Sequence, residues 1–357
     1  MGSFLPVFQR NGRRVSFWEL FSSRYRITVA AKNSLVDDKS LARLVHSSPE
    51  DTPALNELIR EIGRRNGIVV FKPGVYIIDG RSLQVDISNV ELIFEAGSIV
   101  RRMDYSNSTS PIVMVGGDLG IKSVIIRNLD INGAVKPYEF PREWSAIHLR
   151  NVHNSILSNI RAYNYGWNGL LVEESTGNTF ENIEANGGTA DGFYLYKGSN
   201  DNIIKGLTGG LNLGALLFIW GSSRNKAYDL ISNTNYEHGI AFSQGANENL
   251  IERASISLSR RGAIRFERSD GNILKDIFVK DSCRLVDDGL RHDEIYFSTS
   301  RNNRFSKVVI EDTAISEAGY QINEVDGGPN FLDGVSLIGT GRYGGIRMNH
   351  PESRVSE

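Results

Sequence analysis

Between residues 148 and 296 the chain spaces out side chains that could do chemistry together. His148, Glu173, Tyr194, Tyr196, Ser243, Arg265, Glu267, Glu294 and Tyr296 stand beside strongly apolar residues in phrases such as AIHLR, GFYLYKG, AIRFERS and DEIYF. Trp167 and Asn168, Asp191, Tyr236 and His238, and Arg260 and Arg261 come just before such phrases. A histidine titrates near neutral pH, so His238, in NYEHGI, could serve as a general base or acid, or be a plain turn residue. Asp191 could move a proton or cap the turn before Gly192. Arg261 and Arg265 suit a carboxylate in paired geometry, and Arg265 could instead bridge Glu267. Aromatic rings, Trp144, Trp167 and Trp220 among them, can stack on sugar faces or pack under loops. Together these types suggest the binding and chemical alteration of an acidic polysaccharide.

What positions them is a repeat. Of 30 Asn, 16 lie between Asn151 and Asn249. Asn154, Asn178, Asn202, Asn225, Asn249 and Asn272 recur every 23 or 24 residues, each opening a phrase such as NTFENI or NILKDI. About 15 residues on comes a second apolar phrase, often led by glycine. A period of this length marks a solenoid. The segments are short, alternating and rich in β-branched and aromatic residues, so strands are expected, about three to a coil. Gly, Asn, Asp and Ser suit the turns because they tolerate left-handed backbone angles. An Asn at one place in each coil can bond the next coil's backbone as a ladder.

This pattern resembles the right-handed parallel β-helix proteins of the pectin-lyase-like superfamily, over roughly Gly67 to Gly345. The expected fold is all-β, a single right-handed parallel β-helix of ~23-residue coils with an N-terminal capping helix. In EDTPALNELIREIGRRNGIVVF, Thr52 is placed to cap a helix at about 53–64 that has Pro53 at its first position. Leu55, Leu58, Ile59 and Ile62 make its apolar stripe, which would cover the open end of the solenoid. Residues 1–50 are expected to form a lead-in arm, 51–350 the helix of coils, and 351–357 a tail. AVKPYEFPREWS, from Ala134 to Ser145, and SCRLVDDGLRHDE break the rhythm and read as loops overhanging a groove.

Strand alternation locates that groove. Aligned coils put Ile147/Leu149, Leu170/Val172, Phe193/Leu195, Leu216/Phe218, Ile240/Phe242, Ile264/Phe266 and Ile295/Phe297 inward. The residues named at the outset then face out or line the lip. Glu173 and Glu267 fall several coils apart, too far to be a catalytic pair. Asp287 and Asp288, with His292 and Asp293, form a weak candidate cation site that reads equally well as an acidic loop.

The resemblance implies a carbohydrate-active enzyme. Cleavage by β-elimination would use His238 or a tyrosine as base, with Arg261 or Arg265 against the uronate carboxylate. Hydrolysis by two carboxylates, with Asp191 as one, is an alternative; so are an epimerase or transglycosylase and a non-catalytic glycan-binding or tail-fibre solenoid. Elimination is favoured because the pectin hydrolases' Asn-Thr-Asp and Arg-Ile-Lys motifs are missing, while His238-Gly239 and Asp287-Asp288 stand in the wrong order. The Asp-Pro-His-Asp signature of mannuronate epimerases is missing too. A calcium requirement is implied only by the resemblance. No other cofactor is expected.

Composition narrows the classes. The 357 residues carry 40 Lys+Arg against 42 Asp+Glu, a formal charge of −2, which disfavours a nucleic-acid partner. The single cysteine, Cys283, excludes an intramolecular disulfide framework. No apolar run is long enough for a membrane span or a signal peptide, so a cytoplasmic, phage-associated or mature secreted protein is expected, as a monomer or homotrimer.

Overall fold

The computed structural model describes residues 8–10, 13–15, 26–31, 44–46, 49–78, 80–103, 109–134, 144–283, 292–313, 318–339 and 341–356. It is a single right-handed parallel β-helix with an N-terminal helix. The sheet that carries the candidate site has 11 parallel strands. They are β1 (Leu83–Val85), β2 (Val113–Lys122), β3 (Ile147–His153), β4 (Leu170–Glu173), β5 (Phe193–Tyr196) and β6 (Leu217–Trp220). Beyond them come β7 (His238–Ser243), β8 (Gly262–Glu267), β9 (Ile295–Ser300), β10 (Tyr320–Gly327) and β11 (Gly344–Arg347). A second, larger parallel sheet takes the intervening strands, such as Thr179–Asn186 and Ile203–Gly210, which pair in register along the axis.

Two kinds of side-chain stack hold the coils in register. Inside, Phe242 stacks on Phe266 at 4.6 Å and Phe266 on Phe297 at 5.0 Å, so like rings meet at successive coils. At the turn, buried Asn202 accepts the backbone N–H of Asn178 at 2.9 Å and donates to the carbonyl of Ser175 at 2.9 Å. Asn225, Asn249, Asn272, Asn303 and Asn330 accept a backbone N–H in the same way, and all but Asn225, whose amide donates to the Asn249 side chain, also donate to a backbone carbonyl. The Asn ladder expected from the repeat is therefore present. Its first rung differs: Ser155, not Asn154, lies over Asn178, and Asn154 occupies the left-handed turn one residue earlier.

Helix α1 (Thr52–Gly63) closes the N-terminal end. Leu55, Leu58, Ile59 and Ile62 are its buried stripe. Asn56 reaches the edge of β1, donating to the Ser82 carbonyl and accepting the Gln84 N–H, which satisfies backbone groups an edge strand leaves open. The N-cap is Asp51 rather than Thr52 and makes no side-chain cap bond; Thr52 is the first helical residue and is buried. Before the helix, Arg26–Ala31 pairs in parallel with Ile68–Phe71; at the other end, Arg354–Val355 pairs with Phe331–Leu332. No helix among the described residues is long and apolar enough to cross a membrane.

Candidate active site

Parallel pairing lines the outward side chains of the 11-stranded sheet into rows one coil apart, about 4.8 Å per step. One row runs Gln84, Met114, His148, Leu171, Tyr194, Phe218, Ala241, Arg265, Tyr296, Asn323, Arg347. The next runs Arg150, Glu173, Tyr196, Trp220, Ser243, Glu267, Ser298. A lip row precedes both, and its hydrogen bonds fix the order. The Asn168 side chain accepts the N–H of Asp191, Asp191 accepts that of Ala215 at 2.7 Å, and further along Asp293 accepts that of Tyr320 at 2.6 Å. His238 lies in this row, paired with Gly262.

Two concavities result. The first, of about 490 Å³, is lined by His238, Arg261, Arg265, His292, Asp293, Tyr296, Asn323, Val325 and Arg347. Arg265 donates one bond to Glu267 at 3.0 Å, and its buried Nε has no partner among the described residues. Arg261 is held by Glu237 at 2.9 Å. His238 makes no hydrogen bond among the described residues, and burial, with Arg265, Arg261 and His292 nearby, lowers its pKa to about 3. Gly262, at φ +155°, keeps the space between His238 and Asp293 open: a Cβ there would lie 2.5 Å from the Asp293 carbonyl oxygen and 3.5 Å from the His238 ring.

The second concavity, of about 480 Å³, is aromatic. Trp167, Leu171, Tyr194, Tyr196, Trp220 and His148 line it. Phe218 lies flat on Tyr194, rings 4.9 Å apart at 7°, and Trp220 leans on Tyr196 at 4.8 Å. His148 and Glu173 are bonded at 3.1 Å, with Arg150 at 3.9 Å from the same carboxylate. Burial nevertheless lowers the His148 pKa. Asp191, on the lip, has its pKa pushed up to about 7 by burial, against the bond from Ala215 and with Glu237 adding to the rise.

The structure thus gathers His238, Arg261, Arg265 and Tyr296 in one cleft, with Glu267 at its margin, and His148, Trp167, Tyr194, Tyr196 and Trp220 in the other, Glu173 beside His148. Asp191 belongs to the lip near the aromatic end. Tyr236 lines neither concavity and lies under the Arg260 guanidinium at 4.6 Å. Trp144 is packing, buried beneath Arg102 at 4.7 Å.

Two expectations are corrected. Glu294 is fully buried, not outward. It occupies the corner that neighbouring coils fill with Gly169, Gly192 and Ala263, where the chain turns and strand parity does not yet apply. Leu217 and Ile219 point inward and Phe218 outward, because the apolar run ALLFIW supports either register and a one-residue slip exchanges the faces; Leu216, at the corner before the strand, is buried in the core as expected. Phe218 is therefore a groove residue missed by alternation. Asn168 stands at the lip as expected, fully buried and lining the aromatic concavity.

Asn323 has no place in the expected groove, and Asp293, expected only in the weak cation site, belongs to the cleft. Asp293 faces the cleft next to an Asn323 bond of 2.7 Å, and the buried Asn323 Oδ1 has no partner among the described residues. Among the described residues no three His, Cys, Asp or Glu side chains are arranged to hold a metal ion. Asp293 has both oxygens engaged, by Tyr320 and Asn323, and so offers a cation little. Asp287 and Asp288 lie outside the described residues.

Coils, ladder and groove together define the class: the fold is that of the right-handed parallel β-helix proteins. The family described as "Right handed beta helix region" matches residues 64–229. Among solved structures the chain is similar to the A-module of the Azotobacter vinelandii mannuronan C-5 epimerase AlgE4, with TM-score 0.57 and 16% identity over 87% of this chain and 96% of that one. It is similar too to the ORF18 protein of Geobacillus virus E2, with TM-score 0.69 and 14% identity over 92% and 67% of the two chains. An endo-xylogalacturonan hydrolase from Aspergillus tubingensis gives TM-score 0.62 and 12% identity over 92% and 98%. At such identities the likeness is one of fold. A search of curated protein sequences finds no match.

Proposed function

We propose that the chain cleaves a uronate-containing polysaccharide by β-elimination at the cleft around His238. The observation that carries this reading is a buried histidine, its pKa lowered to about 3, sharing one cleft with arginines, one of which, Arg265, has an Nε without a partner among the described residues. Elimination needs a carboxylate neutralised beside a base, because the neutralised carboxylate acidifies the adjacent C5 proton. Arg265 and Arg261 would take the carboxylate and the negative charge it gains. Neutral His238 removes the C5 proton, the C4=C5 double bond forms and the C4–O4 bond breaks. The Tyr296 hydroxyl, beside Arg265 in the row, supplies the proton to the departing oxygen. The arginines that depress the pKa of His238 have their field offset once a carboxylate lies between them, so substrate binding itself raises the basicity of the base.

Two of the similar structures are described as acting on mannuronan and xylogalacturonan, in keeping with an acidic glycan here. A hydrolytic reading draws on one observation, the proton that Asp191 holds up to about pH 7. The test is incubation with acidic and neutral polysaccharides, following ultraviolet absorbance of an unsaturated product beside new reducing ends. Absorbance rising on uronate polymers is the expected result. Reducing ends without absorbance would overturn elimination and transfer the chemistry to Asp191, and neither signal would leave binding or epimerisation.

A further inference from the structure

Both outward rows change character at the same coil. Before Ala241 one row carries Leu171, Tyr194 and Phe218; after it come Arg265, Tyr296, Asn323 and Arg347. Before Ser243 the other row carries Tyr196 and Trp220, and after it Glu267. Ala241 and Ser243 face the groove yet are buried, sunk between the rings on one side and the Arg265–Glu267 pair on the other. They form a low saddle joining two compartments of unlike chemistry.

From this we propose that the groove reads a heteropolysaccharide, with a neutral sugar of apolar face on the Tyr194–Phe218 and Tyr196–Trp220 shelf and a uronate at Arg265, roughly two to three sugar residues away, since each coil step is about 4.8 Å. The inference rests on the proposed function only for the uronate's place. A uronate on the shelf would lose hydration without gaining a cation. Arg150 is matched by Asp118 at 3.1 Å and by Glu173, Lys197 by Glu174 at 3.5 Å, and Arg102 lies buried over Trp144. Four rings in two pairs, one stacked and one tilted, instead favour a sugar presenting C–H groups, such as a 6-deoxyhexose or an acetylated residue. Burial raises the Tyr194 pKa, so its hydroxyl stays protonated and can bond a sugar oxygen.

The test is calorimetric binding to His238→Ala protein, which separates recognition from turnover. The probes are oligouronates of increasing length and mixed oligosaccharides of the same lengths carrying one 6-deoxyhexose. The mixed chains should bind about 5- to 10-fold tighter once the deoxy residue stands at that spacing from a uronate, the scale of one to two ring contacts. Phe218→Ala with Trp220→Ala should erase the difference. Equal affinity of the two series, or a preference that survives both substitutions, would overturn the inference. Because the comparison of probes needs no shelf variant, it stands even if that double variant folds poorly. Preference in binding without any unsaturated product from the intact protein would uphold the inference and overturn elimination. Equal cleavage of both series would do the reverse.

Discussion

The aromatic shelf and the charged cleft are built from the same strands, rows and turns, yet burial acts on them with opposite signs. At the shelf end of the lip, Asp191 is kept protonated up to about pH 7; two coils along the same lip, His238 is kept unprotonated down to about pH 3. An ordinary aspartate ionises well below an ordinary histidine. Here the order is inverted, because desolvation disfavours whichever form is charged. Asp191 and His238 are therefore both uncharged near pH 6, and the field in the cleft is set by Arg261, Arg265 and Arg347 beside Asp293 and Glu267. Proton-holding and proton-accepting groups whose pKa values cross are what acid–base chemistry requires, though two coils place these about 10 Å apart, on different sugar residues.

The largest effect expected from that inversion is on stability. Between pH 3.8 and about 7 the folded state holds a proton on Asp191 that the unfolded chain has lost, so this contribution to stability fades as pH rises through the window. Between pH 6.5 and about 3 the unfolded chain takes up a proton that His238 refuses, so this contribution fades as pH falls. At about 1.4 kcal/mol per pH unit, each is of order 4 kcal/mol as an upper bound. Urea unfolding from pH 4 to 7 should show Asp191→Asn flattening the alkaline-going loss and His238→Gln flattening the acid-going one. Slopes changed in the same direction by both substitutions would break the comparison.

Next in size is turnover. His238→Ala should slow cleavage of an acidic glycan at least ~100-fold, the usual scale for a general base, with little loss of fold. Arg265→Ala removes a charge-assisted contact of roughly 1.5–3 kcal/mol, so affinity for acidic substrate should drop about 10- to 100-fold. Binding of neutral oligosaccharide should hardly move. An equal loss on neutral glycans would show that the arginine does not read a carboxylate and that the two compartments are not chemically distinct.

How far the sequence foretold these two regions depends on how regular each coil is. Asn178 to Asn303 announce the ladder because the side-chain oxygen of every rung accepts the backbone N–H one coil before it, and the repeat carries the fold with it. Alternation then places Tyr194, Tyr196, Arg265, Glu267 and Tyr296 correctly, since each sits in a strand flanked by unmistakable apolar partners. It fails where periodicity is ambiguous or absent. Phe218 lies in a run of apolar residues with no polar marker and Glu294 at a corner where parity has not begun, while Asp293 stands out by residue type only as a candidate cation ligand. The inverted protonation of Asp191 and His238 had no signature in residue type, because it follows from burial between coils, which only the assembled turns provide.

The smallest effect probes the shelf alone. Phe218 is half-buried and owes its place to one flat contact with Tyr194 at 4.9 Å. Cutting it to Ala removes a ring pair worth roughly 0.5–1.5 kcal/mol, or about 2- to 10-fold in affinity. Phe218 lies two rows' steps from Arg265 and touches neither the reacting sugar nor His238, so the loss should appear in KM, while kcat and its pH profile stay with His238. The informative comparison is Phe218→Ala beside His238→Ala on one acidic oligosaccharide long enough to cross the Ala241 saddle. A fall in kcat approaching that of His238→Ala would mean that the shelf shapes the transition state itself, and the division of the groove into a binding half and a reacting half would not hold.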